Sequence, residues 1–341
     1  DELQVEQFHV LGVSMGGMRR RRGPDEVRAL LHRRRDLLEA GESERSIDRS
    51  VRDGIRVHVR RGWYVDRPAF DELYAEDAHL LHVISVAHDV RGEAVVSHES
   101  AGVLHGLDLY RVRPARVHLT TAPGARVSSG PDAFRHCTPL DAHDIVEVNG
   151  IRCTSLARTI FDVARTMTPE AALVMADRAD RIWFDRTGGD PDDWRNAMAA
   201  RIARAGAARG IRRARWVTGF ADGRAESTLE SVSRFRLHQL GFRSIRIQVP
   251  IAGPRGSGWY RVDFGLDDAE AWGECDGAGK YLDTDLRAGR PAEQIALDEK
   301  RREDWIRGTT GRRLVRWEAR HVTSPAALAA RLRAFGIHAR A

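Results

Sequence analysis

The chain has 341 residues, enough for two or three domains that each bury a hydrophobic core. Charged residues make up 30% of it, and no apolar stretch approaches the roughly 20 residues needed to cross a bilayer. These features exclude a membrane-spanning protein and predict a cytoplasmic one. The three cysteines, Cys137, Cys153 and Cys275, form no CxxC pair, so neither a disulfide framework nor a cysteine-based zinc site is expected.

The positive charge is carried almost entirely by arginine. The net charge of +6 permits a polyanionic partner without requiring one. Among 55 basic residues only Lys280 and Lys300 are lysines. A stripe of arginines is therefore weak evidence by itself, whereas the two lysines draw attention to the segment that holds them.

Residues 1–23 are expected to form a flexible leader. The leader contains Gly12-Val13-Ser14-Met15-Gly16, which fits the GxSxG nucleophile elbow of hydrolases. That elbow needs earlier strands and a helix directly after the serine, whereas here an arginine run and Pro24 follow. We therefore interpret the motif as a chance match.

Residues 24–68 are predicted to form a helix-turn-helix domain. Pro24 can begin a helix that continues to Gly41, and Ser43 is a good N-cap for a second helix that ends at Gly54. Ile47 faces inward in this second helix. The opposite face carries Arg45, Arg49 and Arg52.

Residues 55–65 alternate apolar and basic side chains, which predicts a two-stranded hairpin, or wing. Phosphate contacts need cations on the same side as the inserted helix, and the basic edge of this wing meets that need. The alternative is a solvated arginine face in an arginine-rich protein. The predicted partner is double-stranded DNA, contacted by Arg45, Arg49, Arg52, Arg56, Arg60 and Arg61.

Residues 24–180 resemble the winged-helix antitoxins of the AbiEi type. The resemblance is carried by LLEAG (37–41), VRRGWYV (59–65), VSHESA (96–101), LHGL (104–107) and VNGIRCTS (148–155). It implies that the N-terminal domain binds DNA, often the promoter of its own operon. It also implies that the following domain antagonises a toxin protein, which would be a second partner.

The middle domain, residues 69–221, is expected to act as a scaffold. His98 and His105 lie seven residues apart, not the four of an HExxH zinc helix, so we expect them to cap and pack. Arg158 and Asp162 have the spacing of an i,i+4 ion pair.

The strongest chemical pattern is an acidic hairpin predicted over residues 260–277. If residues 267–270 form its loop, Asp263 lies opposite Glu274, with about 5 Å between their Cβ atoms, and Asp276 shares their face. Three like charges repel unless a proton or a divalent cation neutralises them. This favours Asp263, Glu274 and Asp276 as ligands of Mg²⁺ or Mn²⁺. An exposed polar face is the alternative.

Residues 222–341 resemble the very-short-patch-repair-like branch of the PD-(D/E)xK restriction-endonuclease-like superfamily. The resemblance is carried by ESTLE (226–230), RVDF (261–264), GECDG (273–277), KY (280–281), EKRRED (299–304) and VRW (315–317). It implies Asp263 and Glu274 as metal ligands, with Glu230 or Glu226 as the helix carboxylate. Glu230 also occupies position N3 of a capping box begun by Ser227, which is a sufficient structural reason for a glutamate there.

One position departs from the superfamily pattern. The usual third motif residue is a lysine two positions after the glutamate, and this chain has Asp276 there. Lys280 or Lys300 would then have to supply the basic group that orients the attacking water. The implied catalytic set is Asp263, Glu274, Asp276, Lys280, Glu230 and Lys300.

The sequence therefore predicts a multidomain α+β and α/β protein. Its parts are a winged helix-turn-helix, an α+β middle domain and a restriction-endonuclease-like αβ domain with a central mixed sheet, residues 222–341. The favoured function is a Mg²⁺-dependent DNA endonuclease in a toxin-antitoxin, phage-defence or DNA-processing context. The alternative is a non-enzymatic DNA-binding regulator or antitoxin with an inactive nuclease-like fold.

Overall fold

The computed structural model describes residues 21–90, 92–124, 128–254, 258–276 and 292–339. These residues divide into two compact units, residues 21–221 and residues 222–339. Helices combine with three sheets, so the protein is a multidomain mixture of α and β structure, as the sequence predicted. None of the helices in these ranges has the length and apolar character that a membrane crossing requires.

The first unit begins with short helices and a small antiparallel sheet in the order β1-β3-β2. The elements are α1 (Pro24–Arg28), β1 (His32–Arg33), α2 (Arg34–Glu39), α3 (Glu44–Arg52), β2 (Arg56–Arg60) and β3 (Trp63–Asp66). The single helix predicted from Pro24 to Gly41 is wrong. Residues 32–33 pair with Tyr64 and Trp63, so the sheet rather than a helix takes this stretch of backbone.

Helix α3 and the hairpin after it follow from local signals. Ser43 caps α3, with its Oγ accepting a hydrogen bond from the Ser46 amide at 3.2 Å. Ile47 is fully buried under the helix. The hairpin turns at Gly62, whose φ of +79° would strain any residue with a side chain.

The rest of the first unit packs helices against a five-stranded mixed sheet in the order β6-β5-β4-β8-β7. Its strands are β4 (Val95–Val96), β5 (Val117–Thr121), β6 (Ala133–Cys137), β7 (Ile145–Val148) and β8 (Ile151–Thr154). Its helices are α4 (Arg67–Asp71), α5 (Ala75–Asp89), α6 (His98–Leu104), α7 (Leu156–Thr166), α8 (Pro169–Thr187), α9 (Pro191–Arg204) and α10 (Ile211–Phe220). One hydrophobic core runs through the unit, from Val27 and Trp63 to Val217.

Two predicted contacts of this unit can be compared with the structure. The ion pair of α7 is confirmed, because Arg158 Nε donates to Asp162 Oδ2 at 2.9 Å. His105 is buried and packs as expected, with its Nε2 2.7 Å from the carbonyl oxygen of Thr154.

The second unit is built on a four-stranded sheet in the order β12-β11-β10-β9, in which only β11 and β12 run parallel. Its elements are α11 (Thr228–Gln239), β9 (Ile245–Ala252), β10 (Trp259–Leu266), β11 (Ala271–Cys275), α12 (Ala292–Thr310), β12 (Arg313–Trp317) and α13 (Pro325–Arg333). The predicted N-cap of α11 is confirmed, while the Glu230 side chain bonds to the amide one residue before the N-cap instead of completing the box. Ser227 Oγ accepts from the Glu230 amide at 3.2 Å, and Glu230 Oε2 accepts from the Glu226 amide at 2.9 Å.

Candidate nucleic-acid interface and acidic hairpin

The outer face of α3 carries three arginines that are free of protein partners. Arg45, Arg49 and Arg52 are exposed, and none of them has a hydrogen bond or ion pair with any residue that the structure describes. The acidic residues of the same helix are engaged elsewhere. Arg34 donates to Asp48 at 3.1 Å and lies 3.6 Å from Glu44. The positive charge of the outer face is therefore left for an external anion.

The predicted wing arginines behave differently from those of α3. Arg56 donates to both carboxylate oxygens of Glu42, each at 2.8 Å, and lies 3.4 Å from Asp66. The hydrogen bond from Arg56 lowers the pKa of Glu42, which indicates a stable ion pair. Arg56 thus holds the turn before α3 to the sheet.

Arg60 is also held by protein partners, two aspartates and one backbone carbonyl. It pairs with Asp89 and, at 3.1 Å, with Asp132, and it donates to the Ser85 carbonyl at 3.0 Å. A β-bulge between His58 and Arg60 shifts the register of the hairpin, so simple alternation along the strand fails there. Of the wing residues that sequence analysis selected, only Arg61 is exposed without a partner among the described residues.

The acidic hairpin has the predicted loop. Strand β10 ends at Leu266 and β11 begins at Ala271, which leaves four loop residues. The antiparallel ladder ends at Phe264 opposite Gly273, and Asp263 and Glu274 are the residues immediately beyond this last pair. The Asp263 carboxylate does not stand free, because its Oδ2 accepts a hydrogen bond from the Cys275 amide at 2.7 Å.

Two arginines from other elements neutralise the Glu274 carboxylate. Arg302 of α12 donates to Oε1 at 2.5 Å, and Arg316 of β12 lies 3.0 Å from Oε2. Burial alone would lower the pKa of Arg302, but its interactions with Glu274 and Glu299 raise it. Asp276 is 3.8 Å from Arg316 and completes the network.

Glu230 and Lys300 have no hydrogen bond or ion pair with this network among the described residues. Glu230 is buried and bound to Ser227, and it accepts a hydrogen bond from Gln248 Nε2 at 2.8 Å. Lys300 is exposed on α12. Lys280 lies outside the described residues.

A magnesium ion can be tested against the geometry of the described carboxylates. The ligand atoms of Asp263, Glu274 and Asp276 do not all come within 4.8 Å of one another. Both Glu274 oxygens already face arginines. As placed, these residues do not fit a divalent ion, and the protein's own cations relieve the repulsion that suggested one.

Among the described residues, the groups of side chains that could hold a metal lie in the first unit. One of them, His98, His118 and His136, brings its ligand atoms within 4.8 Å of one another. Sequence analysis considered His98 only with His105, and it missed His118 and His136. No local spacing could have found the group, because the three histidines come from α6, β5 and β6.

The known proteins that are similar to this chain have names that state no activity. No protein-family model matches the chain. Two Mycobacterium tuberculosis proteins, "Uncharacterized protein Rv2248" and "Uncharacterized protein MT2308", are each 31% identical over 260 residues, which is 74% of this chain and 83% of theirs. The crystal structure of the RV2827C protein from Mycobacterium tuberculosis is 16% identical, covers 53% of this chain and 83% of its own, and has a TM-score of 0.26, too low for a structural argument.

Proposed function

The chain belongs to the same family as the mycobacterial proteins Rv2248 and MT2308, and we propose that it is a duplex-DNA-binding protein that contacts DNA through α3. The names of the relatives state no activity, so the proposal depends on the geometry of this chain. The observation that carries it is the set of three exposed arginines, Arg45, Arg49 and Arg52, on the face of α3 opposite the buried Ile47.

The order of elements around α3 supports this proposal. Helix, strand, two helices and a hairpin follow one another, with β1 pairing to β3, an order consistent with a winged helix-turn-helix. In such domains the second helix of the helix-turn-helix enters the major groove. Here that helix is α3, and Arg61 at the hairpin turn lies in the same small domain. The arginines would contact phosphates, which provide affinity and register rather than sequence choice.

The resemblance to AbiEi-type antitoxins extends the proposal to transcriptional regulation. A regulator of its own operon should bind duplex DNA from the region upstream of its own coding sequence better than a scrambled duplex of the same length. Fluorescence anisotropy at several salt concentrations tests both parts. We expect affinity to fall steeply with salt, because each phosphate contact releases counterions. Affinity that is independent of salt would contradict the proposal. A toxin protein would be the second partner.

A metal-dependent endonuclease is the second candidate function. The observation in its favour is that Asp263 and Glu274 lie immediately beyond the last ladder pair of the hairpin, Phe264 and Gly273. The arginine partners of Glu274 argue against it, and so the non-enzymatic alternative ranks first.

Plasmid cleavage tests the second candidate. Supercoiled plasmid is incubated with the protein and Mg²⁺ or Mn²⁺, and wild type is compared with Asp263→Asn. Asparagine keeps an oxygen that can accept the Cys275 amide, so the variant removes the charge without removing this hydrogen bond. Nicking by wild type that disappears in Asp263→Asn would establish the nuclease, and equal or absent nicking would exclude it.

A further inference from the structure

Three histidines meet at one end of the five-stranded sheet. His118 lies on β5 and His136 on β6, and these strands run parallel with Thr120 opposite His136. Side chains two apart on a strand share a face, so His118, Thr120 and His136 point the same way. His98 is the first residue of α6 and is buried beside them. Its ring stacks on His136 with 3.8 Å between ring centroids.

Two nitrogen atoms of this cluster lie near the spacing of neighbouring ligands on a tetrahedral metal ion. His136 Nε2 lies 3.1 Å from His118 Nδ1. Two ligands that bind zinc at its usual nitrogen distance in tetrahedral geometry lie about 3.4 Å apart. His98 Nδ1 is 3.0 Å from Ser97 Oγ, which leaves Nε2 as its ligand atom. Ligating histidines commonly use their other nitrogen in such a bond.

Two further features of the cluster indicate a ligand. His98 has a φ of +54°, a left-handed conformation that costs a residue with a side chain about 1 kcal/mol or more and is concentrated at functional sites. Thr120 is fully buried, and its hydroxyl has no hydrogen-bond partner in the described part of the chain. A buried hydroxyl on the face of the histidines needs a partner, and a water bound to a metal would supply one.

Glu99 adds charge compensation. Its Oε2 is 3.4 Å from His118 Nδ1, and the residue is nearly buried. One carboxylate beside three neutral imidazoles offsets part of the charge of a dication. Glu99 does not belong to the group of ligand atoms that lie within 4.8 Å of one another, so it would act from outside the coordination sphere.

We propose that His98, His118 and His136 bind a transition-metal ion of the zinc class, with the fourth position open to water. Imidazole nitrogens favour such ions over Mg²⁺, which prefers oxygen. Three protein ligands and one open position are the coordination of catalytic rather than structural zinc. The His98 and His136 rings are stacked with 16° between their planes, so their in-plane lone pairs do not converge, and metal binding would require the His98 ring to turn.

Metal stoichiometry of the full chain tests the proposal. The protein is stripped with a chelator, given one equivalent of Zn²⁺ or Co²⁺ in excess Mg²⁺, and passed over a desalting column. We expect one zinc ion per chain. The cobalt form should show tetrahedral visible bands and no thiolate-to-cobalt band in the near ultraviolet. A thiolate band would overturn the proposal, because the cluster has no sulfur ligand. A chain that retains no zinc would overturn it as well.

Two glutamine variants locate the ion. His136→Gln should weaken zinc binding more than about 100-fold, which exceeds the effect of changing an outer-shell residue. His143→Gln is the matched control, since His143 is exposed and lies in a different cluster of metal-binding side chains with Asp141 and Asp144. Loss of zinc in the control alone would overturn the assignment. If His136→Gln fails to fold, His143→Gln decides by itself: full retention of zinc supports the site of His98, His118 and His136, and loss of zinc overturns it.

Discussion

Arg302 donates a hydrogen bond of 2.5 Å to Oε1 of Glu274, from a helix that lies 28 residues further along the chain. The side chain of Glu274 is 8% exposed and that of Arg302 is 19% exposed. Water therefore screens this pair poorly, and the pair matters both for the stability of the second unit and for its chemistry.

Replacing Glu274 with glutamine should destabilise the second unit. The variant keeps the shape of the side chain but leaves Arg302 and Arg316 without the more buried of the two carboxylates that they share, the other being Glu299. Breaking a buried ion pair in this way costs about 3 kcal/mol. Urea unfolding monitored by tryptophan fluorescence measures the change.

Glu318→Gln serves as the control for that experiment. Glu318 pairs with Arg320, but both side chains are more than half exposed, and such a pair contributes about 0.5 kcal/mol. If Glu274→Gln were no more costly than this control, Glu274 would not depend on its arginines, and a metal ion would again be needed to explain the hairpin.

Replacing Arg49 and Arg52 together with alanine should weaken duplex binding and leave the melting temperature almost unchanged. Both side chains are exposed and have no hydrogen bond or ion pair with the described part of the protein. The variant should lose about two phosphate contacts. The slope of log K against log salt should therefore become shallower by roughly 1.8. Anisotropy with one labelled duplex measures it.

A second double variant that removes the same amount of charge elsewhere tests whether the loss of affinity is specific to α3 or follows from total charge. Arg186→Ala with Arg204→Ala removes two exposed arginines at the ends of α8 and α9. Equal losses of affinity in both double variants would show that total charge, and not α3, attracts the DNA.

Arg56→Ala should lower the stability of the protein more than it lowers DNA affinity. Its guanidinium is 16% exposed and holds Glu42 through two hydrogen bonds, so we expect a loss of about 1 to 3 kcal/mol of stability. DNA affinity, measured where the variant is still folded, should change less than for Arg49 and Arg52. A large loss of affinity with unchanged stability would show that Arg56 belongs to the DNA-binding surface.

The stability of the first unit should fall as the pH decreases. Burial, with smaller effects of His82 and His118, lowers the pKa of His79 from 6.5 to about 3. The unfolded state therefore binds the proton more readily, so stability is full above pH 6.5 and is lost as the pH falls towards 3. His79 alone contributes up to about 1.4 kcal/mol per pH unit in this window.

His79→Gln should reduce the slope of the unfolding free energy against pH by the equivalent of about one proton, because glutamine does not titrate. Glutamine can still form a hydrogen bond with Ser100. Urea unfolding at several pH values, followed with probes in the first unit, measures the slope. His143→Gln removes an exposed imidazole as the control. A slope unchanged by His79→Gln would mean that another buried group binds the proton.

The sequence by itself determined the structures that depend on neighbours a few residues apart. The arginine face of α3, the Ser227 cap of α11 and the four-residue loop of the acidic hairpin all follow from a helical or strand period and from turn chemistry. Each of these features involves residues of one helix, one strand or one turn, so their spacing can be recognised directly in the sequence.

Tertiary structure alone decided which charges find partners. Arg60 meets Asp89 and Asp132, which lie far from it in sequence. Glu274 meets Arg316 because β12 lies parallel beside β11, and it meets Arg302 because α12 packs its side chain beside them. The cluster of His98, His118 and His136 depends in the same way on the pairing of β5 with β6 and on the start of α6. Pairings between elements far apart in sequence depend on strand order and register, which no local period specifies.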